Sequence, residues 1–104
     1  MLKIFIIDMD GVICVESKPY RNAKPIINTI KALQDLYKSG HIIIIHTSRR
    51  QCDYKLTKEW LDKYEVPFFK LIMGKPKGDY YIDDKAWGLE KWERFCVSVA
   101  DLTV

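Results

Sequence analysis

The chain has 104 residues, enough for one domain (1–104) with a core of its own and too few for a second. Its 48% hydrophobic and 30% charged residues are those of an ordinary soluble globular protein. The net charge of +3 comes from basic residues interleaved with acidic ones, which suits an anionic substrate but neither draws nor excludes a nucleic-acid footprint.

Cys14, Cys52 and Cys96 are odd in number and widely spaced, with no C-x-x-C. That argues against a disulfide framework and a zinc site, for a reducing compartment, and for each as a small apolar residue in or near the core. No secretory pattern precedes the first aspartates and no apolar run approaches a membrane span, so a cytoplasmic protein without membrane contact is expected.

Leu2 to Ile7 is a nearly continuous apolar run, as in a strand buried on both faces. Pro25 opens a helical pattern with Ile26, Ile30, Leu33 and Tyr37 on one face, and Gly40 closes it. Ile42 to Ile45, four successive β-branched residues, is a second buried strand. A second helix begins around Asp53, buries Thr57, Trp60, Leu61 and Tyr64, and ends at Pro67. Phe68 to Met73 is expected as a third strand and Tyr80 to Ile82 as a fourth. A last helix near Ala86 to Arg94 leads to a fifth strand at Cys96 to Ala100. Trp60, Trp87 and Trp92 fall at helical positions and are read as core or interface. The order predicts a Rossmann-like three-layer α/β/α fold around a mostly parallel five-stranded sheet. Val12 to Asn22 fits no element; at eleven residues it is long for a strand-to-helix loop, and a small hairpin flap over the site is expected there.

Right-handed crossovers place the strands' carboxyl ends along one edge, where open α/β sheets bind ligands. Asp8 and Asp10 follow the first strand, Thr47-Ser48-Arg49 the second, and Asp83-Asp84 the fourth. Strand periodicity aims Asp8 and Asp10 toward one side, and Gly11 lets the chain turn away. Four carboxylates gathered there repel unless a cation neutralises them, and hard oxygen donors without His or Cys suit Mg²⁺. Lys75, Thr47 and Ser48 supply donors for a phosphoryl group. Arg49 and Arg50 read equally well as substrate contacts or as a solvated loop. His46 reads as structural at its strand end, and His41 as a surface residue at a turn.

Four segments, in this order, carry a resemblance: Ile4 to Val12 with Asp8-Met9-Asp10-Gly11, Ile42 to Ser48, Lys75-Pro76, and Tyr81-Ile82-Asp83-Asp84. Together they resemble the four motifs of the haloacid dehalogenase superfamily of phosphatases, over nearly the whole chain. The resemblance implies that Asp8 attacks phosphorus to form an aspartyl-phosphate, and that Asp10 protonates the leaving alcohol and then activates water. It implies a Mg²⁺ cofactor on Asp8, the Asp10 carbonyl and Asp83, with Asp84 as a direct or indirect ligand. Thr47, Ser48, Lys75 and Met9 are the implied phosphate contacts, with Thr47 preferred over Ser48 because it directly follows the strand and His46.

Only 36 residues separate Asp10 from Thr47 and 27 separate Thr47 from Lys75, which leaves no room for the inserted cap domain of many relatives. A bare core implies an open site, for a macromolecular end or for cover by a neighbouring subunit of a homo-oligomer. Small phosphatases of capsule or lipopolysaccharide synthesis look closest, so a small phosphorylated substrate such as a sugar phosphate is expected. A polynucleotide end is the alternative, and a non-catalytic phosphate-binding module of the same fold is a third reading. A phosphorylated receiver module fits poorly: its acceptor aspartate ends the third strand, whereas this D-x-D ends the first.

Overall fold

A computed structural model describes residues 1–102 of the chain. Three strands, β1 (Ile4–Ile7), β2 (Ile42–His46) and β3 (Lys70–Ile72), form a parallel sheet in the order β1-β2-β3. Three helices accompany them: α1 (Ile27–Lys38), α2 (Tyr54–Lys63) and α3 (Leu89–Leu102). The α/β class and the parallel pairing are as expected; the five-stranded sheet is not, because three strands are formed among the described residues.

The register pairs Ile4 with Ile42, Phe5 with Ile43 and Ile45 with Leu71. Phe5, Ile7, Ile43, Ile45 and Leu71 therefore share one face of the sheet, and all but the half-buried Phe5 are buried. Phe5 meets Phe95 of α3 at 6.3 Å between ring centroids. Helix α3 in turn packs along α1, where Trp92 Nε1–H donates to Thr29 Oγ1 at 3.0 Å. Ile4 and Ile6, on the opposite face, are 61% and 68% exposed. The expectation that the first strand is buried on both faces thus fails on that face.

Two helices end in the same backbone motif. At α1, His41 N–H bonds Leu36 C=O at 3.1 Å and Gly40 N–H bonds Tyr37 C=O at 3.0 Å. Gly40 sits at φ +90, which a glycine adopts without steric cost. The buried face of α1 is Thr29, Ile30, Ala32, Leu33 and Leu36; Tyr37 is exposed, contrary to expectation. At α2, Val66 N–H bonds Leu61 C=O and Glu65 N–H bonds Asp62 C=O, with Glu65 itself at φ 56. The helix therefore stops at Lys63, before Pro67. It buries Thr57, Trp60 and Leu61, and Tyr64 packs partly buried against the core.

Two expected strands are corrected. Residues 96–100 belong to α3, because Trp92 and Cys96 are buried one helical turn apart while Val97 is half exposed. The alternation of Val97-Ser98-Val99 imitated a strand, and the four-residue spacing of the buried residues overrides it. Tyr80 to Ile82 is irregular and exposed. Tyr81 bonds to its own segment instead: its hydroxyl donates to Pro76 C=O and accepts from Gly78 N–H, both at 3.0 Å.

Candidate active site

The first strand ends at Ile7, and its alternation carries on for three residues. Met9 is fully buried like Ile7 on the core side, while Asp8 and Asp10 are partly exposed. The Met9 carbonyl accepts the N–H groups of Val12, Ile13 and Cys14 (3.2, 2.8 and 3.2 Å), which folds the chain back at once. Gly11 makes that turn at φ +89. The long loop then closes on itself as Val15 N–H bonds Lys24 C=O and Ile26 N–H bonds Ile13 C=O, each at 2.8 Å. This is the expected hairpin-like flap, with a short 3₁₀ turn at Tyr20–Asn22.

A cleft of about 440 Å³ lies at this edge. Asp8, Asp10 and Ser48 line it from the strand ends, Lys18 and Tyr20 from the flap, and Lys77 and Tyr81 from the segment after β3. The structure therefore brings the two aspartates together with Ser48. Thr47, by contrast, is fully buried; its hydroxyl accepts Arg49 N–H at 3.2 Å, its N–H bonds Ile72 C=O and its C=O accepts Lys75 N–H. Ser48 is the exposed hydroxyl of the pair. Met9 N–H is turned onto Asp8 Oδ1 at 2.7 Å.

Lys75 is anchored beside Thr47 by that backbone bond, and Gly74 N–H bonds Arg49 C=O at 2.8 Å. The Lys75 ammonium lies 4.5 Å from the Tyr81 ring centroid, and Lys77 is the lysine of this segment that lines the cleft. Asp83 and Asp84 are exposed. A hydrogen bond from Lys85 N–H (2.9 Å) holds the Asp83 carboxyl below its ordinary value. The expected gathering of four carboxylates is not made: among the described residues no three His, Cys, Asp or Glu side chains cluster as a metal site.

The residue that sequence reasoning missed is Arg49. It is 2% exposed, and its guanidinium grips Asp10 side-on, with Nη2 to Oδ1 at 2.7 Å and Nε to Oδ2 at 2.9 Å. Nη1 donates to Thr57 Oγ1 at 3.1 Å, and the Tyr20 ring lies 3.9 Å from the guanidinium carbon. Burial opposes the charge of Arg49, but the hydrogen bonds and charge of Asp10 outweigh it and raise its pKa. Cys14 lies in the same knot, 3.4 Å from Asp10 Oδ1, and burial first, then the Asp10 charge, push its thiol up to about 12. One signal was available: Ile43, Ile45, Thr47 and Arg49 are all buried, so strand alternation extended past β2 separates Arg49 from the exposed Ser48 and Arg50.

The donor chemistry suits Mg²⁺ in part. Mg²⁺ is commonly held by one or two carboxylates with water and substrate phosphate, and Asp8 is a carboxylate at the cleft with that donor chemistry. Both oxygens of the Asp10 side chain are bonded to Arg49, and Oδ1 to Cys14 as well, which leaves the Asp10 carbonyl and one lone pair of Oδ2 free.

No protein-family model matches the chain, and no curated protein matches it. Among solved structures, the chain is similar to the crystal structure of a structural-genomics target from Vibrio cholerae, with TM-score 0.77 and 26% identity over 98% of this chain and 99% of that one. It is also similar to a chain of the Pnkp1/Rnl/Hen1 complex, with TM-score 0.64 and 22% identity over 79% of this chain and 31% of that one. A second structure, of the Pnkp1/Rnl/Hen1 RNA repair complex, gives TM-score 0.63 and 22% identity over 76% and 27%. The chain thus spans under a third of those two proteins' chains, and at this identity the likeness is one of fold.

Proposed function

We propose that the chain is a Mg²⁺-dependent phosphatase of the haloacid dehalogenase type, which hydrolyses a phosphomonoester through an aspartyl-phosphate on Asp8. The observation that carries this reading is the pair Asp8 and Asp10, one strand position in two, both lining a cleft at the carboxyl end of β1. In this scheme an Asp8 carboxylate oxygen attacks phosphorus, and the bond to the ester oxygen breaks with its electron pair going to that oxygen. Asp10 supplies the proton that oxygen needs. Asp10 then takes a proton from the water that attacks the phosphorus, which releases phosphate and restores Asp8. Ser48, the exposed hydroxyl at the cleft, and Lys75 hold the phosphoryl oxygens, Lys75 after its ammonium leaves the Tyr81 ring, while the buried Thr47 shapes the loop behind them. Asp8 and the Asp10 carbonyl would hold a Mg²⁺, which would supply neutralisation of phosphoryl charge, and Asp83 would join them only once its exposed segment reaches the cleft.

A small phosphorylated metabolite is the favoured substrate. The second reading, a polynucleotide end, is favoured by the likeness in fold to chains of an RNA repair complex and by Lys18 and Lys77 at the open cleft. The test is turnover of p-nitrophenyl phosphate, sugar phosphates and 3′- or 5′-phosphorylated oligonucleotides, with and without Mg²⁺, beside Asp8→Asn and Asp10→Asn. Loss of at least about a hundredfold in both variants is expected on sugar phosphates. Metal-independent turnover, or full activity in Asp8→Asn, sinks the mechanism; no turnover on any phosphate favours a non-catalytic binding module.

A further inference from the structure

A guanidinium at 2% exposure is rare unless its donors are used. Here four of its five N–H donors are used, on three separate parts of the chain: Asp10 after β1, Cys14 in the flap and Thr57 on α2. Tyr20 covers its face. Arg49 is too deeply buried to be the substrate contact or solvated residue that its place after Ser48 suggests. Asp10 is different: its side chain keeps 18% exposure and lines the cleft, while both carboxylate oxygens are held by the fork.

We infer that Arg49 is a positioning residue for Asp10. It fixes the carboxylate about both torsions, so that the lone pair of Oδ2 left free by the fork keeps one direction, in which it carries the proton for the oxygen that leaves phosphorus and later takes one from the attacking water. The inference rests on the proposed phosphatase reading. A lysine cannot replace Arg49, because an ammonium is a point charge without the planar fork. A proton transfer of this kind depends on aim, and a misplacement of about 1 Å costs on the order of a hundredfold.

The role has a signature that plain loss of structure lacks. Nitrophenolate leaves phosphorus without needing a proton, whereas an alkyl alkoxide needs one. Attack by Asp8 on an alkyl phosphate should therefore depend on Arg49, and attack on p-nitrophenyl phosphate should not. The experiment measures kcat/KM on both esters for the full chain with Mg²⁺, in wild type, Arg49→Lys, Asp10→Asn and the double variant, with circular dichroism to verify folding. Arg49→Lys is expected to lose about ten- to a hundredfold on the alkyl ester and less than about threefold on the nitrophenyl ester. In the Asp10→Asn background the same substitution is expected to cost nothing further.

Should Arg49→Lys fail to fold, Thr57→Val and Thr57→Ala, buried on α2 away from the cleft, loosen the guanidinium without altering Asp10. They are expected to show the same split between esters at about three- to tenfold. Equal losses on both esters, or losses that add in the double variant, would make Arg49 a purely structural residue and overturn the inference. Wild-type turnover that Asp8→Asn abolishes and Arg49→Lys leaves intact keeps the phosphatase reading and removes the positioning role. Absence of wild-type turnover on both esters removes the two together.

Discussion

Replacing Asp10 by alanine leaves the most deeply buried cation of the chain without its counter-charge. Arg49 is 2% exposed and loses two charge-assisted hydrogen bonds, at 2.7 and 2.9 Å, while its bond to Thr57 and the Tyr20 face remain. Removing one partner of a buried ion pair costs about 3–5 kcal/mol. The Asp10 side chain is 18% exposed, so water from the cleft reaches the vacated position, and the low end, about 3 kcal/mol, applies. Asp10→Asn keeps one acceptor oxygen and should lose about 1–2 kcal/mol. Asp8 lines the same cleft outside any ion pair among the described residues, so Asp8→Asn should stay within about 0.5 kcal/mol of wild type. A domain of this size has roughly 5–15 kcal/mol in total, so the first loss is a large share. Urea unfolding followed by tryptophan fluorescence measures it: with a slope of about 1.5 kcal/mol/M, 3 kcal/mol lowers the midpoint by about 2 M. An Asp10→Ala midpoint within about 0.5 M of wild type, or one matched by Asp8→Asn, would refute the claim that the pair is buried and structural.

Glu65 holds a left-handed φ of 56 at the end of α2, so Glu65→Gly should stabilise by about 0.5–1 kcal/mol, whereas Gly40→Ala, at φ +90 with open space around the added carbon, should destabilise by about 1 kcal/mol; thermal unfolding of the two variants gives both signs. Cys14 and Cys96 are buried, with thiols pushed up to about 12 and about 11 mainly by that burial, while Cys52 is exposed. A thiol reagent at pH 8 should therefore modify one thiol quickly in the folded chain and three in denaturant, and two fast thiols in the folded chain would contradict the burial. Since both folded values lie above the ordinary 9.0, these groups favour folding fully below about pH 9 and lose that contribution as pH rises toward 11 and 12, a fall readable in urea midpoints. Ile6→Thr, on the open face of β1, should change stability by less than about 0.5 kcal/mol, while Ile43→Thr, at 2% exposure, should cost at least about 2 kcal/mol; equal losses would show that the Ile6 face is covered in solution.

The readings that held rest on signals a few residues long. Ile42 to Ile45 is a strand by β-branching alone, Gly40 ends a helix because it accepts a positive φ, and Asp8-x-Asp10 alternates because the strand before it does. The readings that failed met an ambiguity that no short window resolves. Cys96 to Ala100 carries both a strand-like alternation and a helical spacing, and packing of α3 along α1 selects the second. Tyr80 to Ile82 has the composition of a strand, but Tyr81 bonds to Pro76 and Gly78 and the three residues stay exposed.

From sequence alone came the α/β class, the parallel pairing, the absence of room for an inserted cap, and the place of Asp8 and Asp10 at the end of the first strand. All of these follow from periodicity and spacing along one stretch of chain. Only the tertiary structure decided that Arg49 grips Asp10, that residues 96–100 continue a helix, and that one face of β1 stays open. Arg49 and Asp10 lie 39 positions apart, and they meet because parallel strands bring both chain ends to one sheet edge. A fork of two hydrogen bonds depends on that meeting in three dimensions, and the residues beside Arg49 in the sequence carry no trace of it.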